Sequence, residues 1–179
     1  MPESEIVPID KSPAARIADA VARFGEREVA DRAAALLAGA NEGEEFLLWV
    51  GGRHAQGILD GAPALYWPEL WGARALLYAW DDVAAPAVQR GLANQAWRVR
   101  EMCGRVVVAR ELPFAAEVAP LLTDEVARVR AIAARAIGAI GDYDQALLVT
   151  ALLVDPEIDV RRQAGDALRT LAASLGRAI

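Results

Sequence analysis

A chain of 179 residues with 19 basic and 25 acidic side chains carries a net charge of −6; 55% of it is hydrophobic and only 6% aromatic. One Cys excludes an internal disulfide framework, one His excludes a cluster of His and Cys metal ligands, and the acidic balance argues against broad attraction to nucleic acid or anionic membranes. No run of roughly 18 apolar residues is present to span a membrane, and Met1–Glu5 lacks the basic and apolar parts of a signal peptide, so the cytoplasm is the expected compartment.

The apolar excess is of one kind. Alanine supplies 39 residues, and Leu, Val and Ile most of the rest; 18 of the basic residues are Arg, with Lys11 the only lysine. Alanine favours helix and lets helices approach closely. Nothing alternates apolar and polar residues for long, so the expected fold is all-α. Residues 1–12 read as a flexible N-terminal segment. Ser12-Pro13 then caps a helix that runs to Phe24 and stops at Gly25. A second helix, about 26–38, ends at Gly39, and the polar, turn-rich stretch 39–43 follows.

The next region gathers eight of the eleven aromatic residues between Phe46 and Trp97: Phe46, Trp49, Tyr66, Trp67, Trp71, Tyr78, Trp80 and Trp97. Such a cluster either fills irregular packing or lines a pocket. Just ahead of Tyr66 lie Gly51, Gly52 and Gly57 around His54. Each glycine in a helix costs about 1 kcal/mol relative to Ala, so these need a reason. Close contact with the Trp-rich helix is the simplest one; a phosphate-cradling loop lacks its preceding strand and Lys-Ser/Thr ending. His54 reads as a packing residue rather than a catalyst, and Cys103 as a small buried apolar group.

From here the dominant signal is repetition. Leu92, Asn94, Val99 and Arg100 recur as Leu122, Asp124, Val129 and Arg130, and again as Leu153, Asp155, Val160 and Arg161. The arginines lie 30 and 31 residues apart. Each unit reads as a shorter helix and a longer one, about 143–153 and 157–175 in the third. Val129, Ile132, Ala133, Ala136, Ile137 and Ile140 follow the helical period on one face, which a single helix pair cannot bury alone. Regular repeats therefore cover 82–175 and a degenerate one 44–81. Residues 13–179 form one expected domain.

The run from Asp124 through Val129-Arg130 to Ala133–Asp142 resembles the HEAT-repeat family, particularly its short bacterial kind, also found in bilin lyases. The resemblance implies a right-handed α-solenoid, here of about five helix pairs. It also implies that an Asp in the turn and an Arg early in the second helix form a ladder between repeats. Asp124, Arg130, Asp155 and Arg161 occupy those positions; Asn94 replaces the first Asp, and Glu69 stands where an earlier Arg belongs.

In that family the longer helices line the concave side. Their solvent-facing positions here are Trp67, Leu70 and Arg74, then Arg98, Glu101 and Arg105, then Arg128 and Arg135 in the next repeat. Four arginines on one wall suit carboxylates or phosphates, since a guanidinium binds both bidentately. No catalytic constellation stands out and no cofactor is implied. The expected function is a non-enzymatic interaction or scaffold module holding a protein or acidic peptide. Two alternatives draw on HEAT-like proteins of other classes. One is a DNA alkylation-repair glycosylase using Trp67, Glu69, Trp71 and the arginines; the other is a bilin-lyase-like tetrapyrrole binder.

Overall fold

A computed structural model describes residues 6–176. They hold eleven α-helices and no strand. None of the helices is long and apolar enough to cross a membrane. The described residues fall into two compact units that part between Val88 and Gln89. The repeat consensus decays in 44–81, upstream of this division.

The first unit holds α1 (Pro13–Phe24), α2 (Glu26–Leu37), α3 (Glu44–Gly51), α4 (Arg53–Leu59) and α5 (Trp67–Ala75). Ser12 caps α1 by accepting the Ala15 N–H, with Pro13 at the first helical position. α5 packs on α2 and α3. Gly72 makes the α2 contact feasible, since a Cβ there would lie 2.5 Å from the Ala33 carbonyl oxygen. Gly51 does the same for Trp71, whose ring would come within 2.5 Å of an added Cβ. Ile17, Val29, Phe46, Trp71 and Leu76 form the unit's buried centre.

Residues 6–12, expected as part of a flexible lead-in, are tied to this unit. Val7 is buried, and the Arg53 N–H donates to the Ile9 carbonyl at 3.2 Å. The cause is a buried arginine: Arg16 reaches back to the Lys11 carbonyl while its Nε donates to the Trp49 carbonyl at 3.0 Å. Residues 1–5 of the same expectation lie outside the described residues, as do 177–179 of the expected array.

α6 (Ala85–Gly91) spans the division. The second unit continues with α7 (Trp97–Arg110), α8 (Ala115–Val118), α9 (Ala127–Ile140), α10 (Tyr143–Thr150) and α11 (Ile158–Leu175). Short 3-10 turns, Ala119–Thr123 and Ala151–Val154, follow α8 and α10. The three long helices pack in order, α9 between α7 and α11. Val99, Val129 and Val160 are wholly buried, as are Cys103, Val106, Ala133 and Ile137.

Each long helix of this unit starts on an Asx turn. The side-chain oxygens of Asn94, Asp124 and Asp155 accept the N–H two residues on, at Ala96, Val126 and Glu157. The two aspartates also bind the preceding repeat. Arg100 donates through Nε and Nη2 to Asp124 at 2.8 and 3.0 Å, and Arg130 donates likewise to Asp155. Their Nη1 groups cover the carbonyls of the turns at Asn94–Gln95 and Asp124–Glu125. One carboxylate thus starts its own helix and holds the helix before it.

Candidate binding groove

A groove of about 730 Å³ crosses α7, α9 and α11. Its apolar lining is Val108 and Ala109 of α7, Ala127, Ala131 and Ile132 of α9, and Val160 of α11. Ala131 keeps the middle shallow in side-chain bulk. Around it stand Arg105, Arg128, Arg135 and Arg162 with Glu101, Glu157 and Asp159. Four arginines against three carboxylates leave a small positive excess rather than a cationic wall.

The helical repeat sets this charge pattern. Positions Arg98, Arg128 and Asp159 immediately precede the buried valines, so they start each helix on the same side. Glu101 and Arg105 follow on the same stripe of α7, four residues apart. Glu101 was expected to face solvent. It is instead 8% exposed, because two arginines close over it. Its Oε1 accepts from Arg105 Nη2 at 3.0 Å and from Arg128 Nε and Nη2 at 3.2 and 3.0 Å. Arg162 pairs with Asp159 at 2.9 Å. Arg135 is exposed and makes no ion pair among the described residues.

Trp97 belongs to this site and was not among the expected residues. The guanidinium carbons of Arg98 and Arg128 lie 4.4 and 5.8 Å from its ring centroid, within cation–π range. A signal for it was available. Trp97 stands where the next repeats carry Ala127 and Ile158, one residue before the Arg98 column.

The first unit's expected surface residues are placed differently. Leu70 is buried. Arg74 is half-buried and donates to the Val50 carbonyl at 2.9 Å. Burial pushes its guanidinium down from the ordinary value, and the nearby positive Arg16 pushes the same way. Arg16, lowered by burial, shares that carbonyl at 3.4 Å, so both cations draw on the C-terminal end of α3. Trp67 is half-buried, stacked on Trp71 at 6.1 Å and tilted against His54 at 4.5 Å. These three side chains are spent on packing because α5 lies against α2 and α3.

The aromatic core of this unit is packing too. Phe46, Trp49 and Trp71 are almost fully buried, and Phe24 meets Trp49 edge-on at 6.4 Å. One cavity of this unit, about 390 Å³, is lined by residues such as Leu36, Leu47, Ile58, Leu65, Glu44 and Glu69. The glycine run forms no phosphate cradle. Gly52, at φ +60°, joins α3 to α4, and the N–H groups of Gly52 and Arg53 are already donated to Leu48 and Ile9 carbonyls. Among the described residues no cluster of three His, Cys, Asp or Glu side chains is gathered to hold a metal.

Of the expected residues, the structure therefore brings together Arg98, Glu101, Arg105, Arg128 and Arg135 on the second unit. Asp124, Arg130 and Asp155 lie in the ion-pair ladder behind them. Arg161 occupies the third rung position, and among the described residues its side chain donates to the carbonyls of Asp155 and Pro156 and to no carboxylate. Compared with protein-family models and with curated proteins, the chain matches none.

Proposed function

We propose that the chain is a non-enzymatic interaction module whose regular half is a short HEAT-like α-solenoid, and that it holds an extended acidic segment of a protein partner in the groove over α7, α9 and α11. The observation that carries this reading is the pairing of an apolar floor with an arginine rim in which Arg135 is left without an ion pair among the described residues. A carboxylate side chain or backbone-flanking acid docked at Arg135 gains a bidentate partner, and the neighbouring Ala131 and Ile132 accept an apolar side chain beside it. Trp97 lies within cation–π reach of Arg98 and Arg128 at one end and restrains both, which reduces the ordering cost of binding. Glu101 restrains the rim from becoming a general anion trap, so selectivity for a mixed acidic and apolar segment follows from the same contacts.

Panning a random peptide library on the full chain tests this reading. Enriched sequences are expected to combine Asp or Glu with large apolar residues. They should bind in the micromolar range by fluorescence anisotropy and lose most of that affinity on Arg135→Glu. Weakening with added salt should accompany binding, since the contacts are exposed. Enrichment of basic sequences, or binding indifferent to Arg135→Glu, rejects the proposal.

A further inference from the structure

The three repeats of the second unit share one register, so each position of the last has two counterparts. Arg100 and Arg130 each use Nε and Nη2 on a carboxylate of the following repeat, and Nη1 on turn carbonyls. Arg161 keeps only the second half: Nη1 donates to Asp155 and Pro156 carbonyls at 2.6 and 2.9 Å. No carboxylate among the described residues reaches the other edge of its fork. The apolar positions follow suit. Leu92 and Leu122 are 2% and 3% exposed, whereas Leu153 is 46% exposed. Val107 and Ile137 are wholly buried, whereas Leu168 is half-buried.

The last repeat thus offers the surface that each earlier repeat covers with its successor. More exposed apolar area lies on the same repeat. Leu147, Leu148, Val154 and Ile158 are all at least half-exposed, Val154 at 85%. Exposed apolar side chains concentrated on one repeat mark an interaction surface.

We propose that this face, built from α10, the 151–154 turn and α11, pairs with the same face of a second copy of the chain about a two-fold axis. An isologous contact sets one patch against itself, so the patch must complement itself. The last repeat supplies what that requires. Its apolar side chains can cover their own equivalents, and it carries both signs of open charge. Arg161 has a free fork edge, while Asp144 and Glu157 form no ion pair among the described residues. Continuity with the internal interfaces fixes the chemistry: Arg161 takes a carboxylate from the other copy as Arg130 takes Asp155.

Sedimentation velocity on the full chain from about 1 to 200 µM tests the proposal. A monomer–dimer equilibrium with a micromolar dissociation constant is expected. Val154→Glu, at a residue outside the monomer's core, should leave a monomer throughout with an unchanged circular dichroism spectrum. Leu153→Glu should do the same, and Arg161→Ala should weaken the dimer about tenfold. A monomer at every concentration overturns the proposal, as does a dimer untouched by Val154→Glu or by Arg161→Ala. Assembly beyond the dimer overturns the two-fold geometry in favour of a head-to-tail chain. Peptide capture by the α7–α9–α11 groove is read in a separate assay, so either proposal can fail alone.

Discussion

The guanidinium of Arg130 grips the carboxylate of Asp155 through two hydrogen bonds of 2.8 and 3.0 Å, across 25 residues of sequence. Both side chains are largely withdrawn from solvent, at 14% and 6% exposure. Removing one partner strands the other. Arg130→Ala is expected to lower the unfolding free energy by about 1–3 kcal/mol in urea, because Asp155 keeps only the Glu157 N–H. Arg130→Lys should recover part of the loss, since an ammonium restores the charge but not the fork. Arg161→Ala in the monomer should cost less, about 0.5–1.5 kcal/mol, having only two carbonyls to release. Equal losses at the two positions would mean the carboxylate contributes nothing.

The same pair gives stability a pH dependence of definite sign. The hydrogen bond from Arg130 holds the Asp155 carboxyl below its usual value of 3.8. A carboxyl depressed in the folded state stabilises above its unfolded value, and that contribution disappears as pH falls through the folded value. The stability gap between the native chain and Asp155→Asn should be widest at neutral pH and narrow steadily below about pH 4. Paired urea titrations at neutral and acid pH read it directly. A gap that stays constant would mean that the charge of the carboxylate contributes nothing to the difference.

Close helix contacts make a different demand in the first unit. A Cβ on Gly72 would meet backbone atoms of α2, 2.5 Å from the Ala33 oxygen and 2.8 Å from the Leu37 nitrogen. Backbone cannot swing aside as a side chain can. Gly72→Ala should therefore destabilise by about 1–3 kcal/mol although alanine is the better helix former. Gly57, within α4, has nothing within 4 Å of its Cβ position. Gly57→Ala should raise stability by up to about 1 kcal/mol. Thermal unfolding of the two variants ought to shift in opposite directions.

Local punctuation made much of the fold readable. Ser12, Pro13 and Gly25 bound α1 as expected, because caps act within a few residues. The helix expected over 143–153 ends its α-form at Thr150 and tightens to a 3-10 turn through Val154, a change too small for periodicity to resolve. The site was harder to read. Periodicity placed Glu101 on a helix face, but its burial depends on Arg128, one repeat away and on another helix. Arg74 illustrates the same limit. Its partner is a main-chain carbonyl at Val50, which carries no sequence signature.

Cys103 offers a reporter for the opening of this packing. It lies fully buried on α7, and burial pushes its thiol well above the ordinary 9.0. Only the thiolate attacks disulfide reagents, so the folded protein should resist DTNB at neutral pH and react as the second unit opens. The sign at high pH follows from the same shift. A thiol raised in the folded state favours folding below its unfolded value; as pH rises beyond about 9 the unfolded chain ionises first, and that stability is lost. Labelling should therefore accelerate with alkali faster than thiolate formation in a free cysteine would require. Arg130→Ala, which loosens α9 against α11, should speed labelling at neutral pH, while Gly72→Ala in the first unit should leave the rate unchanged. Rapid labelling of the native chain would mean that α7 leaves Cys103 accessible without unfolding. Equal acceleration by both variants would mean that the two units open as one.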